Sequence, residues 1–106
     1  MTSTLTFNSL TVPLQALRLL AVDFPHLPAP DIDLTRLYPD RLTLCFHDGL
    51  HVFEAWREAL GVPLDAVTHR VQGGGRTHVL KASIVYAGAD VHLRGFADVV
   101  AVGGAA

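Results

Sequence analysis

Cys45 is the only cysteine in this 106-residue chain, which excludes an internal disulfide and suits a reducing compartment. Charge is also scarce: 17% of the residues are Asp, Glu, Lys or Arg, and the formal net charge is −2. No overall field therefore favours nucleic acid or an anionic membrane. No apolar run reaches membrane-spanning length, because Gln15 and Arg18 interrupt the best candidate. A basic region ahead of an apolar core is missing from the N-terminus, so no secretory signal is expected and the cytoplasm is the expected location. Lysine is nearly absent. Seven Arg stand against one Lys, among many Ala and Val, a composition expected of a GC-rich bacterial genome.

Apolar residues are abundant, at 50% of the chain, so the chain is expected to pack and not to remain disordered. Its length fits one domain, residues 1–106, with a modest core. Residues 1–10 read as an arm or edge strand around Leu5 and Phe7, and residues 99–106 as an apolar, small-residue tail. No internal repeat is present.

The best-signalled element lies within residues 47–63. Asp48 is expected to cap a helix, because its carboxylate can accept from the free amides of the first turn. Gly61 falls where a left-handed residue ends a helix, and Pro63 blocks continuation. In that reading Val62 folds back onto Trp56. Val52, Phe53, Ala55, Trp56, Ala59 and Leu60 form one apolar stripe, with His51, Glu54, Arg57 and Glu58 opposite. His51, Glu54 and Glu58 are spaced to converge on a cation, but one helix supplies too few ligands, so no metal is expected. Arg57 is available to pair with Glu54 instead.

Upstream, Thr11 is expected to cap a helix reaching about Asp23, with Pro13 tolerated in its first turn. Leu14, Leu17, Leu19, Leu20, Ala21 and Val22 spread around most of its circumference, which predicts cover from more than one side. Three prolines among residues 24–30 make that segment an extended connector. Two strands follow around Tyr38, Pro39 and Asp40. Pairing Leu37 with Arg41 places Leu34 opposite Leu44 and Ile32 opposite Phe46, and sends Asp31, Asp33, Thr35, Thr43, Cys45 and His47 to the outer face. After the central helix, residues 66–72 and 76–86 read as a hairpin around Gly73, Gly74 and Gly75, and residues 91–97 return beside it. Pairing Gln72 with Arg76 and Tyr86 with Val91 gives an inner face of Leu80, Ala82, Ile84, Tyr86, Val91 and Leu93, expected to meet the central helix.

The order helix-strand-strand-helix-strand-strand-strand predicts an α+β fold, a two-layer sandwich with a mainly antiparallel sheet. Trp56, Phe46, Leu44 and Ile84 are the expected core.

Three constellations bear on chemistry. Cys45, His47, Asp31 and Asp33 are the ingredients of a nucleophile, base and orienting acid. A flat sheet face offers them no pocket and no oxyanion donors, and Cys45 with His47 supplies only two ligands to zinc. The glycine triplet is followed by strand and not by a helix N-terminus, so it reads as a hairpin tip and not a phosphate cradle. Arg70, Gln72, Arg76 and His78 are expected to share a face at that tip, with Lys81, Arg94, His69 and His92 extending the positive area beside Phe96. Such a surface suits an anion or an acidic partner. The expected function is a small protein–protein interaction or accessory module, acting as a homo-oligomer, most simply a dimer, with no chemistry and no cofactor of its own. The motivation is surplus apolar surface, which usually marks association. A different protein partner is the next possibility. The alternative is a nucleic-acid-associated accessory protein using the basic tip and sheet face. A Cys/His enzyme or metal site ranks after that.

Overall fold

In the computed structural model, which describes residues 5–98, the chain runs α1 (Thr11–Asp23), β1 (Asp31–Asp33), β2 (Arg41–Phe46), α2 (Leu50–Ala59), β3 (Thr68–Gln72), β4 (Thr77–Tyr86) and β5 (Ala89–Asp98). Short 3-10 turns precede α1 (Phe7–Leu10) and β3 (Leu64–Ala66). This is the expected α+β order. The strands lie β1-β2-β5-β4-β3 in one sheet, antiparallel except for the parallel neighbours β2 and β5.

That central pair explains the core. Leu42, Leu44 and Phe46 of β2 stand beside Val91, Leu93 and Gly95 of β5 in register, and all six are buried. Both helices lie on this face, over β2 and β5. α2 contributes Val52, Phe53 and Trp56, each burial worth about 1.5–3 kcal/mol. Phe46 sits edge-on to Phe53 at 6.3 Å and tilted against Trp56 at 5.9 Å. A Cβ at Gly95 would come 3.0 Å from Phe53, so the glycine is what lets α2 approach the sheet this closely. α1 buries Pro13, Ala16 and Leu20. Trp56 also anchors the proline-rich connector, its Nε1 donating to the Pro28 carbonyl at 2.8 Å.

The far end of α2 follows the expected motif. Gly61 has φ +73°, its N–H donates to Glu58 O, and the Val62 N–H donates to Arg57 O, each at 3.0 Å. These are the two bonds of a Schellman cap. Val62 is buried in the same core as Trp56. The near end differs from expectation. Gly49, at φ +124°, is the cap residue and Asp48 stays outside, with no side-chain bond to the first turn. A φ in that region favours glycine, so the backbone turn and not a carboxylate starts this helix. In α1, likewise, Leu10 occupies the cap position and the Thr11 hydroxyl turns back to the Asn8 carbonyl. The first described residues form the 3-10 turn and no edge strand, while residues 1–4 and the tail at 99–106 lie outside the description.

Three pairings correct the expected registers. β1 joins β2 with Ile32 opposite Leu44, so the strand stops at Asp33 and residues 34–40 are connection. Tyr86 meets Ala89, not Val91, across a two-residue turn whose Ala87 and Gly88 have φ +50° and +80°. Both shifts are by two residues and preserve the faces. The third is by one: Gln72 pairs with Thr77, not Arg76. Gly73, Gly74 and Gly75, all at positive φ, join Arg76 in a four-residue turn, and that slip exchanges the faces of β3.

Candidate interaction surface

With both helices on one side, the other side of the sheet carries the alternate residues of every strand. In register, one row runs Asp31, Cys45, Arg94, Lys81, Thr68 from β1 to β3, and the row beside it Asp33, Thr43, His92, Ser83. Arg70 stands opposite Val79, one diagonal step from Lys81. Asp31 and Asp33 thus occupy the β1 edge, Arg94, Lys81 and Arg70 step across β5, β4 and β3, and Asp90 and Asp98 lie on the same face nearer the two ends of β5. Thr43 and Val79 on this face are buried, whereas Val85 is 73% exposed.

The expected tip cluster is therefore divided. Arg70, Gln72, Lys81 and Arg94 share the open face, Arg76 belongs to the turn, and His78 points to the helix side of the sheet. There it meets His69, placed on the same side by the register. The His69 Nε2 and His78 Nδ1 lie 2.7 Å apart, so one imidazole donates to the other. This pair was hidden in the sequence because reading it needs the one-residue register of a glycine-rich turn.

The Cys45 group stays together on the open face. Burial pushes the Cys45 thiol above its ordinary value; Arg94 pulls it down, while Asp33 and Asp31 push it up. A thiol raised in this way is a poor nucleophile at neutral pH. The His47 ring stacks on Phe96 at 4.9 Å, and its Nε2 is 3.7 Å from Asp31.

On α2, Arg57 departs from its expected outward place. It is 8% exposed, holds Glu54 with Nε at 2.9 Å from both carboxylate oxygens and with Nη2 on Oε1, and caps the Val62 carbonyl through Nη1. The hydrogen bond from Arg57 holds the Glu54 carboxyl below its ordinary range. Glu54 is thereby committed, and among the described residues no three His, Cys, Asp or Glu side chains gather to hold a metal.

A cavity of about 270 Å³ opens between α1, the proline-rich connector and β1, lined by Leu17, Leu20, Phe24, Leu27, Ile32 and Trp56 among others. Its walls are apolar and, among the described residues, no titratable side chain lines it. None of the described helices is long and apolar enough to cross a membrane. No protein-family model, curated protein or solved structure matches this chain.

Proposed function

We propose that this chain is a small cytoplasmic interaction module that works by associating with a second copy of itself, without catalysis. The observation that carries the reading is the open sheet face, where Asp31 and Asp33 line β1 and Arg94, Lys81 and Arg70 step across β5 to β3, with Asp90 and Asp98 nearer the two ends of β5. A twofold axis along the strands sets the acidic edge of one copy over the basic side of the other, twice in the same interface. An antiparallel sheet with one solvated face needs no partner to be stable. What favours association here is the match between the β1 carboxylates and the row of Arg94, Lys81 and Arg70, together with exposed Val85. The raised Cys45 thiol and the apolar walls of the cavity beside α1 support a role without chemistry.

Solution mass by light scattering tests this. The expected value is twice 11.4 kDa at low salt, falling towards the single-chain mass near 1 M salt, where the screening length is only about 3 Å. A single-chain mass at low salt and every concentration refutes it.

The row of Arg94, Lys81 and Arg70 on three adjacent strands supports a second reading, single-stranded nucleic acid. Asp31, Asp33 and Asp90 on the same face oppose a continuous polyanion track. Salt-dependent retention of a short oligonucleotide, flattened in an Arg70→Ala/Lys81→Ala variant, is what this reading requires. No retention at low salt removes it.

A further inference from the structure

The His69–His78 pair lies on the opposite side of the sheet from that open face, so any role it has is independent of self-association. The two ring centres are 4.9 Å apart and the facing nitrogens 2.7 Å apart, with 26° between the planes. The nitrogens therefore lie between the ring centres, and the rings meet nitrogen to nitrogen and not face to face. Two strands of one hairpin hold them there, since His69 pairs with Leu80 and His78 with Val71. Neither imidazole is buried, and Val71, the cross-strand partner of His78, is 49% exposed. Among the described residues, no carboxylate is bonded to either ring.

We infer that His69 and His78 together chelate a divalent transition ion that prefers imidazole and accepts two ligands at a right angle, Cu²⁺ or Ni²⁺. With metal–nitrogen bonds of about 2.0–2.1 Å, two such ligands stand about 2.9 Å apart, whereas tetrahedral Zn²⁺ separates them by about 3.4 Å. The observed 2.7 Å is close to the first spacing. What must change is ring tilt. The lone pairs now face one another across a shared proton, and each exposed imidazole has to turn by roughly 45° to aim at a common point. The ion displaces that proton to water while the donor imidazole takes one up on its other ring nitrogen, and water completes the coordination. Cu²⁺ stands highest in the affinity order for nitrogen sites, with Ni²⁺ next below it.

The test uses the full chain without an affinity tag, in a Cys45→Ser background so that Cu²⁺ does not oxidise the thiol. CuCl₂ and NiCl₂ are titrated calorimetrically into this protein and into its His69→Asn and His78→Asn variants, with circular dichroism to confirm the fold of each. Each substitution is expected to weaken Cu²⁺ binding at least tenfold, and the frozen-solution electron paramagnetic resonance spectrum should carry the splitting of two equivalent nitrogens, reduced to one in either variant. Affinity retained within twofold in either folded variant, or a one-nitrogen spectrum in the parent, overturns the proposal. His26, His47, His51 and His92 remain in every protein compared, so any ion they hold is unaffected by the substitutions.

Discussion

Replacing Trp56 with alanine probes the junction on which the helical layer depends. The indole is 5% exposed, packs on Phe46 and bonds the Pro28 carbonyl, so it ties α2, β2 and the connector together. Truncating a large buried aromatic costs about 3–5 kcal/mol, including the cavity it leaves. The hydrogen bond accounts for about 1 kcal/mol of that. Trp56→Phe keeps most of the ring and loses the bond, so its expected cost is about 1–2 kcal/mol. A domain of this size is stable by about 5–15 kcal/mol, so the alanine variant loses a large share of its stability. Urea unfolding followed by far-ultraviolet circular dichroism reads both changes. With a slope of about 2 kcal/mol/M, the midpoint should fall by about 1.5–2.5 M for alanine and about 0.5–1 M for phenylalanine. An alanine shift below about 0.5 M, or one no larger than that of phenylalanine, refutes the packing argument.

Tyr86 donates its hydroxyl to the Asp23 carboxylate, and that bond pushes its ionisation up to about 12, from an ordinary 10.0. Because the folded value is the higher one, the stabilisation is complete below pH 10 and is lost as pH rises towards 12; absorbance titration of phenolate in the wild type and Tyr86→Phe should show the late-ionising tyrosine disappear, and an unchanged curve contradicts the assignment. Gly95→Ala forces a Cβ to 3.0 Å from Phe53 on buried strand β5, which should cost about 1–3 kcal/mol by overpacking; a neutral urea midpoint would show that α2 can lift away freely. Cys45, raised by burial, should react with a disulfide reagent at neutral pH no faster than a free thiol does; faster reaction would return the Cys45, His47 and Asp31 cluster to consideration as a catalytic site.

Local chemistry carried much of the fold. The stripe of Val52, Phe53 and Trp56 and the Gly61 cap placed α2, and alternation along β4 and β5 placed Ala82, Val91 and Leu93 inside, because a two-residue error in register leaves faces unchanged. Such patterns record which side of an element is apolar, and that suffices for the α+β class. They carry less about beginnings of helices: Asp48 is a sound cap by residue type, yet the turn at Gly49 takes the position. Arg57 shows the same limit, since its type reads as solvated while Glu54 and the Val62 carbonyl satisfy it under cover.

The candidate sites depended on more. Arg70, Lys81 and Arg94 were legible as a basic group, but their alignment on one face, apart from Arg76 and His78, comes from the pairing of Gln72 with Thr77. A loop of three glycines scarcely constrains its own length, because each can adopt positive φ at no steric cost. One-residue slippage there exchanges faces, and only the surrounding sheet selects the register that joins His69 to His78. The parallel contact of β2 with β5 is equally tertiary. Residues of both strands are apolar enough for the centre, and nothing within either one names its neighbour; the helices, by covering one face of both together, decide it. The sequence alone thus determined which residues seek the interior, since burial is a property of each side chain and its period. Which strands stand side by side, and so which polar groups meet, was decided by the packing of the whole chain, since those contacts join residues far apart along it.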